Sequence, residues 1–165
     1  MINNTINLYR GLGWPTIFTH IRFFTAPFNI LESLVPVSGI IIDLGCGYGI
    51  FSNYLGLMRP SRKITGLELD HNKVRYADRG LSNVNFLNED VVNSNIPKAD
   101  TILLIHVLHH LKSFVEQEDL LRKCKNVLKE NGSLIIAEVD KKPYWKHFLG
   151  WLADRMLYPG QEIFY

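Results

Sequence analysis

The chain has 165 residues and a formal net charge of +2, with 47% hydrophobic and 21% charged residues. This length and balance suit one globular domain, and the small net charge gives no argument for a nucleic acid or an anionic membrane as partner. Cys46 and Cys124 are the only cysteines, and they are too far apart in the chain to indicate a disulfide framework or a zinc site. We expect a cytoplasmic protein with no metal, no signal peptide and no transmembrane segment.

Strand-like and helix-like stretches alternate along the chain from Gly39 onward. Strands are predicted at residues 40–44, 63–69, 84–87, 101–105 and 133–139. Helices are predicted at residues 48–57, at 71–79, and from a capping box at Ser113 and Glu116 as far as Gly132. This alternation is typical of an α/β fold with a doubly wound parallel sheet and helices on both faces.

We expect a single domain over residues 1–165. Its predicted parts are an N-terminal helical lid or cap (1–38), a cofactor-binding core (39–139) and a C-terminal helical segment (140–165). Residues 8–35 are rich in aromatic side chains, which suit an apolar lid or plain core packing. Residues 143–158 carry an apolar stripe at helical spacing, namely Trp145, Phe148, Leu149, Leu152 and Met156.

Three glycines follow the first predicted strand at alternate positions, in the sequence I-I-I-D-L-G-C-G-Y-G-I-F of residues 40–51. Gly45, Gly47 and Gly49 can adopt positive φ and let the backbone approach a ligand with no Cβ in the way. The start of the next helix adds N–H groups and a partial positive charge. We interpret this turn as a cofactor site rather than only a tight turn, because ligands of such sheets lie beyond the carboxyl ends of the strands.

The spacing of these glycines argues against two common nucleotide sites. The dinucleotide fingerprint G-x-G-x-x-G fails in both registers, because Ile50 or Ser52 stands where its last glycine belongs. The sequence also contains no G-x-x-x-x-G-K-[ST] motif. An NAD-dependent oxidoreductase is therefore a less favoured alternative.

The pattern D-L-G-C-G-Y-G at residues 43–49 resembles the first motif of class I S-adenosylmethionine-dependent methyltransferases. Similar stretches follow in order: I-T-G-L-E-L-D (64–70), N-E-D-V (88–91), D-T-I-L-L-I-H-V-L-H-H-L (100–111) and L-K-E-N-G-S-L (128–134). The resemblance covers about residues 39–138 and implies a Rossmann-like sheet with strand order 3-2-1-4-5. It implies transfer of a methyl group from S-adenosyl-L-methionine to an acceptor by in-line displacement.

The resemblance also implies roles for the residues that follow the strands. The loop of Gly45, Cys46, Gly47 and Gly49 would hold the methionine end of the cofactor, and Asp43 would meet its ammonium group. Glu68 offers two acceptor oxygens to the two ribose hydroxyls. The other implied cofactor residues are Leu69 and Val91 on either side of the adenine, Asp90 at its amino group, and His106 near the cofactor.

Some of these acids also have structural interpretations. Glu68 could be a solvated acid at a strand end, and Asp43 could mainly cap the glycine loop. Glu89 could take the role of Asp90, which it precedes. Asp70 is expected to be the N-cap of the helix that begins at residue 71.

Three histidines follow the fourth predicted strand, where the acceptor should lie. His106, His109 and His110 are candidate general bases. Methyl transfer from a sulfonium has a good leaving group, however, so alignment can supply most of the rate, and a structural role for the His109–His110 pair is an alternative. The catalytic residues therefore stay unknown at this point, and we expect no metal site among these histidines.

Two observations bear on the acceptor. The turn after the fourth strand lacks the D/N-P-P-Y/F sequence of amino-methylating nucleic-acid enzymes, and neither cysteine follows a proline as in the cytosine-C5 enzymes. We therefore expect a small-molecule or lipid-like acceptor and no nucleic acid. Lys141, Lys142 and Lys146 keep a peripheral membrane or lipid-substrate interpretation open.

Members of the family usually add an antiparallel hairpin after the fifth strand, and this chain, which ends at Tyr165, leaves no room for it. We expect a C-terminal truncation, a homodimer that covers the edge of strand five, or a C-terminal segment that folds back over that edge. A non-catalytic S-adenosylmethionine-binding module, or a truncated remnant, is accordingly an alternative function.

Overall fold

The computed structural model describes residues 1–138 of the chain. The helices are α1 (Ile2–Leu8), α2 (Trp14–Thr25), α3 (Phe28–Leu34), α4 (Ile50–Met58), α5 (His71–Ala77) and α6 (Phe114–Val127), with a short 3₁₀ helix at Leu108–His110. The strands are β1 (Gly39–Leu44), β2 (Arg62–Glu68), β3 (Val84–Asn88), β4 (Ala99–Ile105) and β5 (Leu128–Ala137).

The five strands form one parallel sheet in the order β3-β2-β1-β4-β5. The prediction of a doubly wound α/β sheet with strand order 3-2-1-4-5 is therefore confirmed. β1 lies at the centre, and the chain reverses direction across the sheet between β3 and β4. The carboxyl ends of β1 and β4 thus meet at a switch point, where ligands of such sheets bind.

Hydrophobic side chains cover both faces of the sheet. Ile41 points into a cluster that the N-terminal helices and α4 complete, whereas Ile42 points into a second cluster with Leu120 and Cys124 of α6. Both isoleucines are fully buried. This alternation explains why β1 reads as a continuous apolar run, because successive side chains of a strand point to opposite faces and both faces are covered.

A buried arginine ties the N-terminal helices to the sheet. Arg62, at the start of β2, is 1% exposed and forms an ion pair of 2.9 Å with Glu32 of α3. Its guanidinium also donates to the carbonyl oxygens of Val35, Pro36 and Leu55. The charge is therefore compensated and its donors are used, which is the condition for burying an arginine.

The predicted boundaries differ from the structure mainly around β5. The helix predicted to run to Gly132 ends at Val127, and β5 begins at once with Leu128. The register between β4 and β5 shifts here, from Ala99 opposite Leu128 to Thr101 opposite Ser133. Sheet pairing has overridden the helical pattern of L-K-E-N-G.

Two other predictions concern the ends of elements. The helix predicted to end at residue 79 ends at Ala77, and Asp70 is its N-cap as predicted, since the side chain accepts a hydrogen bond from Asn72 N. The end of the fifth strand at Val139 and the segment 140–165, with its apolar stripe and lysines, lie outside the described residues. Within residues 1–138, β5 pairs with β4 alone.

Candidate functional site

The loop between β1 and α4 turns on three glycines in the left-handed region. Their φ values are 71° at Gly45, 57° at Gly47 and 68° at Gly49. A Cβ at Gly45 would lie 2.7 Å from Val107, and one at Gly49 would lie 2.6 Å from Phe86. A Cβ at Gly47 would meet no atom within 4 Å. The first and last glycines are thus required by packing, whereas the middle one faces open space.

Backbone N–H groups of this loop bond within the protein. Gly45 N and Cys46 N both donate to the carbonyl oxygen of Leu67, at 2.8 and 3.0 Å. Gly47 N donates to Glu68 Oε2 at 2.9 Å, and Gly49 N donates to the carbonyl oxygen of Cys46 at 2.9 Å. The loop is therefore fastened to the carboxyl end of β2.

Glu68 ends β2 and is 9% exposed. Its Oε2 accepts the bond from Gly47 N, and its Oε1 accepts a bond of 2.9 Å from Asp70 N. Glu68 is not merely a solvated acid at a strand end, because each of its oxygens has a backbone partner. A carboxylate offers about four lone-pair sites, so each oxygen retains capacity for another donor.

Asp43 is a buried residue of β1, close in sequence to the glycine loop. It is 3% exposed, and its Oδ2 accepts a hydrogen bond of 2.5 Å from Ser52 Oγ. Burial raises the pKa of the Asp43 carboxyl to about 6; the bond from Ser52 opposes this rise, and the charge of Glu68 adds to it. This carboxylate links β1 to α4 through Ser52, whereas the loop N–H groups bond to Leu67, Glu68 and Cys46, so capping of the glycine loop by Asp43 stays a prediction.

The cysteine of the loop is partly buried. Burial and the neighbouring carboxylates of Asp43 and Glu68 raise the pKa of the Cys46 thiol well above its usual value. Its Sγ lies where a Cβ on Gly66 would approach within 2.7 Å. A thiol in this state is a poor nucleophile, and the part of Cys46 in holding the cofactor stays a prediction.

The residues predicted to hold an adenine lie after β2 and β3. Leu69 is 68% exposed, and Val91 is partly buried against the core. The Asp90 carboxylate accepts hydrogen bonds from Val92 N at 2.9 Å and from Asn93 Nδ2 at 2.7 Å. Asp90 therefore shapes its own turn, and its part in binding adenine stays a prediction.

His106 follows β4 in an unusual conformation. Its φ is 59°, and its N–H donates to the carbonyl oxygen of Ala137 at 2.8 Å. Burial lowers the pKa of His106 to about 3, and the charge of Arg22 lowers it further. Its Nδ1 is buried without a hydrogen-bond partner. A strained backbone and a neutral, buried imidazole are features that cluster at functional sites.

Glu138 accepts hydrogen bonds from the turn that carries the two other histidines. Its Oε1 accepts bonds from Val107 N at 3.0 Å and from Leu108 N at 2.8 Å, and its Oε2 lies 2.6 Å from His109 Nδ1. Burial alone would raise the pKa of Glu138, but these bonds lower it on balance. The carboxylate is therefore ionised, and it accepts a hydrogen bond that the Nδ1–H group of His109 donates. The rings of His109 and His110 pack with centroids 4.2 Å apart.

Sequence reasoning did not single out Glu138 or Arg22. Glu138 ends an otherwise apolar strand, and an acid at that place was the available signal. Arg22 belongs to α2, yet its positive charge lowers the pKa of His106 and opposes the rise in the pKa of Asp43, so the N-terminal segment brings a cation within electrostatic range of the carboxyl ends of the strands. No local pattern in residues 14–25 indicated this electrostatic effect.

Other features of the described residues do not compete with this site. Residues 1–138 contain no group of three or more acids, histidines or cysteines that could hold a metal ion. No helix in this part of the chain is long and apolar enough to cross a membrane. A cavity of about 210 Å³ lies among the N-terminal helices, lined by residues such as Ile2, Phe23 and Ile30, away from the glycine loop.

A five-stranded parallel sheet in this order, with a glycine loop after β1 and an acid at the end of β2, defines an α/β cofactor-binding protein. A family model described as a methyltransferase domain matches residues 42–136, more than half of the chain. The chain therefore belongs to the methyltransferase-domain family. The resemblance to class I S-adenosylmethionine-dependent methyltransferases is confirmed.

Individual relatives agree with this assignment. The chain is 31% identical to a demethylmenaquinone methyltransferase of Thermotoga maritima over 111 residues, which are 67% of this chain and 47% of the relative. In structure it is similar to coclaurine N-methyltransferase bound to N-methylheliamine and SAH, with a TM-score of 0.64 and 19% identity over 84% of this chain and 44% of that chain. The DhpI–SAH complex gives a TM-score of 0.66 and 19% identity, over 86% of this chain and 71% of that chain. The chain spans about half the length, or less, of the curated relatives it matches.

Proposed function

We propose that this chain binds S-adenosyl-L-methionine at the carboxyl ends of β1, β2 and β3, and transfers the methyl group to a small-molecule or lipid-like acceptor in the cytoplasm. The observation that carries the proposal is the pairing of Gly47 with Glu68. An open glycine backbone lies beside a carboxylate that is fixed by two backbone N–H groups. Because the chain belongs to the methyltransferase-domain family, we interpret this arrangement as a site for S-adenosyl-L-methionine.

The residues of the site fit such a cofactor. The space above Gly47 admits a ligand to van der Waals contact with the backbone. Glu68 has lone pairs left on both oxygens, so it can accept two adjacent ribose hydroxyls without losing its own bonds. Leu69, which is largely exposed, offers an apolar surface to the adenine, with Val91 and Asp90 as further predicted contacts.

Charges near the loop suit the amino-acid end of the cofactor. Asp43 is buried and bonded to Ser52, so we propose that it acts on the ammonium group through water or at a distance rather than by direct contact. Arg22 supplies a positive charge on the same side, which suits a carboxylate. The N-terminus of α4, which follows Gly49, adds a partial positive charge in the same direction.

When bound, the cofactor supplies an electrophilic methyl group on a sulfonium, with a neutral thioether as the leaving group. The protein must align the acceptor's lone pair with the bond that breaks and exclude water, which can account for most of the acceleration. His106 is a weak proton acceptor, because its pKa is about 3, so we propose that it acts as a neutral hydrogen-bonding group. Proton removal by His109 or His110 stays a prediction.

The names of the relatives support the choice of acceptor class. One name refers to demethylmenaquinone and another to coclaurine. Both are names of small molecules rather than of a protein or nucleic acid. The homodimer predicted from the sequence stays a separate prediction about assembly.

The test is a calorimetric titration of S-adenosylhomocysteine into the purified chain and two variants. In Glu68→Ala the affinity should fall by about ten- to a hundredfold, the equivalent of about 1–3 kcal/mol for a lost charge-assisted pair. The matched control is Glu118→Ala, because Glu118 is 65% exposed and forms an ion pair with Arg122, one turn further along α6. That variant should bind like the parent chain, and NAD should not bind any of the three.

Two results would contradict the proposal. One is a folded chain that does not bind the ligand, and the other is an equal loss of affinity in both variants. Circular dichroism of each variant establishes that it is folded. If the chain binds the ligand but yields no S-adenosylhomocysteine from the cofactor with any acceptor tried, the alternative of a non-catalytic binding module is favoured instead.

A further inference from the structure

Helix α2 is apolar on both sides. Its inner side packs Phe18 and Phe23 against the core. Its outer side exposes Trp14 (39%), Ile17 (54%), Ile21 (39%) and Phe24 (85%). These four residues follow the spacing 3, 4, 3, so they form one stripe along the helix, which we call the outer stripe of α2. A helix that is apolar all round is normally covered on both sides.

The segment of the chain that carries the outer stripe has no acidic side chain before residue 32, since residues 1–31 contain no aspartate or glutamate. The first acid is Glu32, which is consumed in its ion pair with the buried Arg62. Arg10 and His20 are exposed in the same segment. An apolar stripe with aromatic side chains, basic neighbours and no acid has the chemistry of a helix that lies in the interface of an anionic bilayer.

We propose that the outer stripe of α2 binds the surface of a lipid bilayer that contains anionic lipids. The apolar side chains enter the boundary between headgroups and acyl chains, with Trp14 and Phe24 at the two ends of the stripe. Helix α3 also exposes apolar side chains, because Ile30 and Leu34 lie one turn apart and are 65% and 57% exposed. Arg10, which is exposed in the same segment, supplies a positive charge for the lipid phosphates.

This orientation has a consequence that rests on the proposed function. Arg22 belongs to the same helix and acts on Asp43 and His106 at the carboxyl ends of the strands. A bilayer on the outer stripe would therefore lie one helix diameter from the proposed acceptor site, roughly 10 Å. An acceptor dissolved in the bilayer would reach the site over a short path, which favours the lipid-like acceptor over a freely diffusing one.

Vesicle flotation of the full chain tests the proposal without any methyl-transfer assay. The vesicles are phosphatidylcholine alone and phosphatidylcholine with phosphatidylserine. We expect the chain to float with the mixed vesicles and to bind them more tightly than the neutral ones, by about fivefold for each basic residue near the surface. In Arg10→Gln this preference for mixed vesicles should shrink by about that factor.

The matched pair of variants is Phe24→Ser and Phe114→Ser. Both phenylalanines are 85% exposed, but Phe114 begins α6, which packs on the opposite face of the sheet. Phe24→Ser should lower vesicle binding by about tenfold or more, because the variant lacks the phenyl ring whose transfer from water to the bilayer favours binding. Phe114→Ser should bind like the parent. Melting curves of both variants show whether each is folded.

Three results would overturn the proposal. The chain could remain unbound with both kinds of vesicle, or both serine variants could lose binding equally. The third is a dimer in analytical ultracentrifugation that Phe24→Ser dissociates, in a chain that does not float, because the stripe would then be a contact between two copies. Binding of S-adenosylhomocysteine in the same samples reports separately on the cofactor site, so failure of one proposal leaves the other standing.

Discussion

Gly47 and Glu68 are 21 residues apart in the chain and are joined by a hydrogen bond of 2.9 Å from Gly47 N to Glu68 Oε2. The bond links the glycine loop after β1 to the carboxyl end of β2. The part of the site proposed to hold the methionine end is thus coupled directly to the carboxylate proposed to hold the ribose. A substitution at either residue should therefore change the conformation of the other.

Alanine substitutions at Gly47 and Gly49 should separate binding from stability. Gly49→Ala places a Cβ 2.6 Å from Phe86 and 2.7 Å from Ala77, at a φ of 68°. We expect it to lower the free energy of unfolding by about 2–4 kcal/mol through overpacking and left-handed strain. Gly47→Ala meets no neighbour and should cost only about 1–2 kcal/mol of strain.

The variant with the smaller loss of stability, Gly47→Ala, is the one that should lose affinity for the ligand. The Cβ of Gly47→Ala fills the open space above the loop, so its affinity for S-adenosylhomocysteine should fall at least about tenfold in a chain that remains folded. Urea unfolding and calorimetry measure the two quantities. If Gly47→Ala bound the ligand as tightly as the parent, the ligand would not lie against this backbone.

Asp43 and His106 should carry opposite pH dependences of stability. Burial raises the pKa of Asp43 from 3.8 to about 6, so the folded state keeps a proton that the unfolded state loses, and stability falls as the pH rises through that interval. Burial lowers the pKa of His106 from 6.5 to about 3, so only the unfolded state takes up the proton, and stability rises with pH over that interval. Each slope reaches at most about 1.4 kcal/mol per pH unit, and the two largely cancel where the intervals overlap.

Substitution of either Asp43 or His106 should reveal the pH dependence of stability that the other residue produces. In Asp43→Asn, stability between about pH 4 and 6 should rise with pH more steeply than in the parent, and in His106→Asn it should fall. Urea unfolding at a series of pH values measures both, with the exposed Asp119→Asn on α6 as a control that leaves the parent curve unchanged. Identical slopes in the two site variants would show that these groups titrate alike in the folded and unfolded states.

Substitution of Glu138 should reveal what holds the histidine turn. Glu138→Ala removes the acceptor for Val107 N, Leu108 N and His109 Nδ1 and should lower the free energy of unfolding by about 2–4 kcal/mol. Glu138→Gln keeps one acceptor oxygen for the two backbone donors and should cost about 1 kcal/mol. Its amide group would face His109 as a donor, so the proton on His109 should move from Nδ1 to Nε2.

Nitrogen NMR of the His109 ring checks this prediction directly. A proton that stays on Nδ1 in Glu138→Gln would mean that the contact with Glu138 does not select the tautomer. Urea unfolding of the same variants checks the expected order of stability.

Much of this fold could be predicted from the sequence, because the central strands carry a strong local signal. Residues 40–42 and 102–105 are continuous apolar runs, as in strands covered on both faces, and the glycines after residue 44 fix where the chain turns. The switch from helix to strand at Leu128 was missed, because the stretch after it has helical character and a glycine, while the deciding interaction is pairing with β4, from residues about 30 positions earlier.

The contacts that the sequence did not reveal are long-range and polar. Arg62 looks like a surface residue at the start of a strand, yet its partners come from three carbonyl oxygens and an acid in other elements. Glu138 binds a turn about 30 residues before it. The acids that do have local sequence signals, Glu68 and Asp70, lie where they were predicted, and Glu68 proved to be bonded on both oxygens.

The fastening of the glycine loop to Leu67 and Glu68 has a thermodynamic consequence. A loop that is ordered by its own protein gives up its conformational entropy during folding, so a ligand that arrives later need not supply that cost. The site is then preorganised, and ligand binding should cause little change in backbone amide protection around residues 45–49. The entropy cost of ordering this loop would thus be part of the free energy of folding and would not reduce the affinity for the ligand.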